Sequence, residues 1–220
     1  MADLDAVDVA FRTRCAALVV CTTGSTTLEA TAGGYARPSG SFVTDGFAVG
    51  MEVTPSGFSQ TAPAVITAVS ALTMSVSGGR TVQTSGSGRT LSVGFPALRG
   101  YDNTRVEPVT GRHYVETEVV PAPTRLLTFP ANGGTREDTG LFVVRWYGIA
   151  NTGAKGLRSC LDALAAQFRP GATFAAGADT VRVRADSGPF VGPISQRPGG
   201  FALAVLTIPW RVYRVNSLAA

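Results

Sequence analysis

The sequence holds one histidine, His113, so any Ser/His/Asp or Cys/His relay would have to use that imidazole as its base. No nucleophile-elbow spacing accompanies it. At the head of the alternating run HYVETEVV (His113–Val120) it reads as a strand residue, without the positioned partner that a general base needs. Glu116 and Glu118 fall on one face of the same strand, and a carboxylate pair there is the chemistry of acid–base hydrolysis or of a hard cation. With Tyr114 beside them, a solvated sheet face or a subunit contact is the simpler reading. Cys15, Cys21 and Cys160 match no metal or redox spacing and stand in apolar surroundings, as small buried hydrophobes of a reducing compartment do. GSGR (Gly86–Arg89) and NGGT (Asn132–Thr135) lack the phosphate-loop spacing and are expected to be hairpin turns. Trp146 and Trp210, each inside an apolar strand, are expected core anchors. No catalytic, metal-binding or cofactor-binding residue is therefore expected, and the chain is read as a non-enzyme.

Long strands and two helices have to position these residues. From Asp3 to about Val20, apolar Leu4, Val7, Phe11, Cys15 and Leu18 form one helical stripe, supported by first-turn acids and an Asp8/Arg12 pair at i,i+4. Between Thr22 and Val93 the chain is rich in Gly, Ser and Thr, with short β-branched runs (SFV, MEV, VITAV, TMSV, TLSV) cut by turn signals, which predicts a small antiparallel sandwich or barrel. After Phe95, HYVETEVV and TRLLTF (Thr124–Phe129) read as strands. Ala131–Gly140 reads as a polar, glycine-bearing loop, and Leu141–Ile149 as a central strand apolar on both faces. NTGAKGLRSCLDALAAQFRPG predicts a second helix, capped at Asn151 or Thr152 and stopped at Pro170-Gly171. TVRVRA (Thr180–Ala185) alternates, and Pro209 within FALAVLTIPWRVYRV (Phe201–Val215) implies an edge strand or a bulge. The expected fold class is α+β: a mixed or antiparallel sheet covered by two helices on one face, from residues 1–21 and 94–220, interrupted by an all-β insert at 22–93.

At 220 residues, 45% hydrophobic and 15% charged, the chain is long enough and apolar enough to bury a core. Of its 19 basic residues only Lys155 is a lysine. The arginines are spread among acids from Arg12 to Arg214 rather than gathered in the stripe that nucleic-acid binding uses. The acids near the N-terminus and the lack of a long apolar run speak against a signal peptide or a membrane span.

The second half of the chain resembles the tail terminator (tail completion) proteins of long-tailed bacteriophages. PALRGYDNTRVEP and HYVETEVVPAP match the family's extended segment and its Tyr-to-Pro strand. NGGTREDTGLFVVRWYGIAN matches its charged loop and central strand, and GAKGLRSCLDALAAQFRPG its helix, with Gly153, Gly156, Leu157, Leu161, Leu164 and Phe168 in place. DTVRVRADSGPFVGPISQRPGGFALAVLTIPWRVY supplies the closing elements. The stretch Thr22–Val93 has no counterpart in that pattern.

The resemblance implies a structural virion protein at the head-proximal end of the tail, assembled in the host cytoplasm. It would be a ring of six copies that caps the tail tube protein, stops its polymerisation and joins a head-side connector or neck protein. DNA would pass through the lumen without sequence-specific binding, with no membrane involved. Arg136, Glu137 and Asp138 are the expected tube-contact residues, because charged loops on rigid scaffolds are where partners are read. The alternatives are another head–tail neck or completion protein, and a carbohydrate or host-surface binding module built on the insert, whose aromatics are Tyr35, Phe42, Phe47 and Phe58.

Overall fold

The computed structural model describes residues 3–97, 99–100, 107–127, 135–150 and 154–215. Helix α1 (Leu4–Ala16) starts at Asp3, whose carboxylate accepts the Ala6 N–H at 3.2 Å, and it buries Val7, Phe11 and Cys15. Seven strands follow: β1 (Val19–Thr22), β2 (Thr26–Thr31), β3 (Gly34–Ala36), β4 (Glu52–Ser56), β5 (Ala64–Val69), β6 (Thr73–Val76) and β7 (Gln83–Gly94). Their hydrogen-bonding order is β1-β7-β2-β3-β6-β5-β4, and β4 returns to β7, so six of them close a barrel around Leu28, Ile66, Met74 and Leu91, all fully buried.

Closure depends on β7. GSGR (Gly86–Arg89) is not the expected hairpin turn but lies inside this 12-residue strand. The Gln83–Arg89 half pairs with β2 through two register shifts, while the Thr90–Gly94 half pairs with β4 and β1. Gly88, at φ +74°, takes a backbone conformation that other residues resist, which lets the strand bend between the two partners. SFV (Ser41–Val43) is likewise not a strand: it belongs to a turn segment that buries Phe42 and Phe47.

The second sheet contains β8 (Arg99–Gly100), β9 (Tyr114–Pro121), β10 (Arg125–Leu126), β11 (Thr135–Ile149), β12 (Thr173–Ala176), β13 (Asp179–Val183), β14 (Phe190–Val191), β15 (Ser195–Arg197) and β16 (Phe201–Val215), with helix α2 (Ala154–Gln167) between β11 and β12. Its spine runs β12-β13-β16-β11-β9-β8, and β11 and β16 pair over all fifteen residues, from Thr135↔Val215 to Ile149↔Phe201. β11 is central, as expected, but only its even-numbered face is fully covered. Phe142, Val144 and Trp146 are buried under the helices, whereas Leu141, Val143, Arg145 and Tyr147 are exposed or half-buried.

The expected α+β class is overturned. The protein is mostly β, with 49% strand against 13% helix, and its described residues form a closed six-stranded barrel and a half-barrel with two helices among them. The cause is that ladder pairing recruits polar segments that hydrophobic patterning leaves as loop. Thr135–Gly140 is strand because it is hydrogen-bonded to β16, and β12 forms because it pairs with β13. The expected helix cap at Asn151 or Thr152 lies outside the described residues, while Gly171 ends that region at φ +80°.

Pro209 is neither at an edge nor in a bulge. It sits opposite Leu141 in unbroken register, with strands on both sides of β16. Its carbonyl accepts the Arg184 N–H at 2.9 Å, so its missing donor points to the same side, into the gap between β13, which pairs as far as Trp210, and β14, which starts at Thr207.

Barrel and half-barrel share one core. At their junction the His113 N–H donates to the Gly50 carbonyl at 3.0 Å, and Arg112 pairs with Glu52 at 2.7 Å. Gly50 has φ +88°, and a Cβ there would meet Ile149 Cδ1 at 2.5 Å and His113 Cδ2 at 2.8 Å. Gly50→Ala is therefore expected to destabilise the fold by about 2 kcal/mol through strain and overpacking. The measurable effect is a lower urea midpoint at unchanged denaturant slope.

Candidate functional site

The three charged residues of the expected contact loop lie in β11, and its alternation separates them. Asp138 points to the covered face and is only 4% exposed. The Thr124 hydroxyl donates to its Oδ1 at 2.6 Å, and Arg136 Nε lies 3.6 Å from its Oδ2. Arg136 is registered opposite Arg214, which in turn pairs with Asp179. Glu137 points the other way, opposite Tyr213, with its Oε1 3.6 Å from Arg211 Nη1. The sheet end is thus a knit of ion pairs on two faces, and of the three residues only Glu137 belongs to the open one. Residues 131–134 of the expected loop lie outside the described residues.

The open face is the larger feature, and pairing register defines it. Val120, Glu118, Glu116 and Tyr114 of β9 stand opposite Leu141, Val143, Arg145 and Tyr147 of β11. Those in turn stand opposite Pro209, Thr207, Val205 and Leu203 of β16. Phe190 of β14 lies opposite Thr207. At one end of this face Glu118 takes Arg145 at 2.7 Å and Glu116 accepts the Tyr147 hydroxyl at 3.0 Å. The two carboxylates are thereby occupied in separate cross-strand pairs instead of converging on a cation. Tyr147 stacks on Tyr114, with centroids 4.3 Å apart, and Phe201 meets Tyr114 edge-on. In the middle, Leu141 is 39% and Phe190 65% exposed. A phenylalanine so far out of a fold is the side chain that sequence reading missed; its one signal is the bracketing of PFVGP (Pro189–Pro193) by residues that end regular structure.

The other candidate groups are structural. His113 is buried and its pKa is pulled down to about 4, chiefly by desolvation. It accepts the Trp146 indole N–H at 3.3 Å, which makes it a neutral core acceptor. Cys15, Cys21 and Cys160 are buried and unpaired. Burial pushes the Cys15 and Cys21 thiols up to about 12 and raises Cys160 as well, so none is a reactive thiolate. Among the described residues no three His, Cys, Asp or Glu side chains gather as a metal site, and no helix is long and apolar enough to cross a membrane. Tyr35, Phe42, Phe47 and Phe58 are all buried in the barrel, so they form no surface platform for a sugar ring. What the described surface offers chemically is an extended, part-apolar sheet face, the type of surface that meets protein.

A family model described as phage tail terminator protein matches residues 90–210. A solved structure is similar at 21% identity and a TM-score of 0.38, with the match covering 56% of this chain and 82% of the other; a likeness that loose decides nothing. Among curated proteins the chain has no match.

Proposed function

This chain belongs to the phage tail terminator family, which makes it a structural protein of phage tails, and from that premise we propose that it forms a ring that caps the tail tube. One side of the ring would accept the last ring of tube protein, stop its growth and leave the other side for a head-side connector or neck protein. Growth of a stacked tube ends when the bound cap offers no copy of the acceptor surface, so the activity is interface geometry rather than chemistry. The family match over residues 90–210 carries this reading. Six copies would enclose a lumen through which DNA passes without sequence readout, and assembly would take place in the host cytoplasm before the ring joins the virion.

The barrel is proposed to be an insert in the terminator unit. Its support is that the two ends of the segment meet: Val19 pairs with Gly94, Cys21 with Val93 and Thr22 with Ser92, so a chain that leaves at β1 returns beside itself at the end of β7. The matched residues also begin at 90, where the barrel closes.

Electron microscopy of the purified chain, with and without isolated tail tubes, tests the reading. Annular particles and caps on one tube end are expected; a chain that never binds a tube end refutes it. The sheet end bearing Arg136, Glu137 and Asp138 is the proposed tube contact. Arg136→Glu is expected to reduce the fraction of capped tubes several-fold. Because it sets a second carboxylate beside nearly buried Asp138, the melting temperature falls as well, so capping is compared well below the variant's midpoint, and unaltered capping there removes Arg136 from the contact.

A further inference from the structure

We infer that the open face of the half-barrel is the seat of a second copy of this chain, which docks through the outward stripe of its helix α1. The inference rests on the ring reading above and names the surface between neighbouring subunits.

The subunit has layers. Phe11 of α1 stacks on Phe142 at 4.4 Å, so the helix lies against the even-numbered face of β11, and the open face is on the opposite side of the sheet. The outward stripe of α1 is Asp5, Val9 and Thr13, spaced at i,i+4; all three are exposed, Val9 to 60%. Asp3 adds a second exposed acid at the helix start, and the adjacent Asp8 is neutralised by Arg12. The stripe is therefore apolar at its centre and negative at one end.

The open face has the converse character. Leu141, Val120 and Phe190 form its exposed apolar centre. Toward one end stand Arg182, opposite Arg211, and Arg125, opposite Glu137. Arg125 and Arg182 are exposed and have no ion-pair partner among the described residues, while Arg211 shares Glu137. Negative helix stripe and positive sheet end are complementary in charge, and both centres are apolar.

Helix α1 is 13 residues long, about 20 Å by about 10–12 Å across, which matches the part of the open face around Leu141, Val120 and Phe190. Because donor and acceptor surfaces lie on opposite sides of the same subunit, the contact is head-to-tail. That is the kind of interface which closes into a ring when the rotation fits. The acids Glu116, Glu118 and Glu137 on this face, each held in a local pair, disfavour a nucleic-acid occupant.

Sedimentation of the full-length chain with Val9→Asp or Phe190→Asp provides the test. Both residues are exposed, so each variant should melt like the parent while the concentration needed for assembly rises at least ~30-fold, the loss of one interface anchor. Chains carrying Val9→Cys are then mixed with chains carrying Leu141→Cys and treated with a short bis-maleimide; the three native thiols are buried. A covalent dimer of the mixed pair, absent when Val82→Cys in the barrel replaces Leu141→Cys, is the expected product. Unchanged assembly of both aspartate variants, cross-links only between Leu141→Cys chains, or a parent that stays monomeric at every concentration each overturns the inference. Rings that persist in both variants defeat this interface and leave the ring reading standing; mixed cross-links in rings that never cap a tube leave this interface standing and defeat the capping reading.

Discussion

Truncating Phe11 to alanine is expected to lower stability by about 3–5 kcal/mol and the melting temperature by on the order of 10 °C. Phe11 is fully buried and touches three rings: it stacks on Phe142 of β11 at 4.4 Å, lies tilted against Phe168 at 5.5 Å, and meets Phe174 of β12 edge-on at 4.9 Å. One side chain thus joins the first helix, the central strand, the end of the second helix and the neighbouring hairpin. Arg14 reinforces the same joint: its Nε donates to the Gln167 carbonyl at 2.9 Å, and its guanidinium lies over Phe168 and Phe174. Removing the ring leaves a void whose walls are held by two strands and two helices, so little can collapse into it, and the cost belongs at the upper part of the range. Phe11→Leu keeps most of the volume and is expected to cost roughly 1–2 kcal/mol. Urea titrations of both variants check the difference, and equal losses would mean that the ring contacts with Phe142, Phe168 and Phe174, not the lost volume, set the cost. Because α1 is anchored through Phe11, the alanine variant is also expected to assemble poorly at temperatures where it is still folded.

How far the sequence reaches is instructive at these same residues. Leu4, Val7, Phe11 and Cys15 show the helix period plainly, and α1 is where that period puts it, although Leu18 of the same stripe lies beyond the helix end. The barrel was anticipated as one of two β options from the turn spacing, yet its closure was not, because closure depends on a strand that changes partners between Arg89 and Thr90, just after Gly86 and Gly88, and glycine in a polar run is the ordinary sign of a turn. The α+β expectation failed for a related reason. Periodicity detects elements with one apolar face, whereas Thr135–Gly140 becomes strand through its ladder to β16, a long-range pairing with no local signature. The same blindness scattered the contact residues: TREDTG looks like a charged loop, and its strand geometry sends Asp138 inward and Glu137 outward. The family match needed none of this, since it follows motifs in the half of the chain where they are ordered as the family has them.

Acidification should weaken the fold through His113 before the carboxylates titrate. The imidazole is buried, 5% exposed, between two groups that demand its neutral form in one tautomer. The Trp146 indole is a donor only, so Nδ1, 3.3 Å away, has to accept, and the remaining ring N–H is left to bond the Val49 backbone carbonyl. A proton on Nδ1 would face the indole N–H, and the charge would lie in a core of Trp146, Gly148 and Gly50. Desolvation is the main reason why the pKa drops from 6.5 to about 4. A histidine depressed in the folded state binds its proton more readily in the unfolded chain, so stability rises with pH between the two values. The contribution is fully present above about pH 6.5 and is lost as pH falls toward 4, on the order of 3 kcal/mol over that window. Urea titrations at pH 7, 6 and 5 on the parent and on His113→Gln isolate it, because the amide offers an acceptor and a donor without titrating. The parent is expected to lose stability steadily relative to the variant as pH falls. A constant difference between the two would mean that the imidazole is not held neutral. Since the His113 backbone also donates to Gly50, the weakening should appear first where barrel and half-barrel meet, as faster amide exchange at His113 and in β4 than in β16.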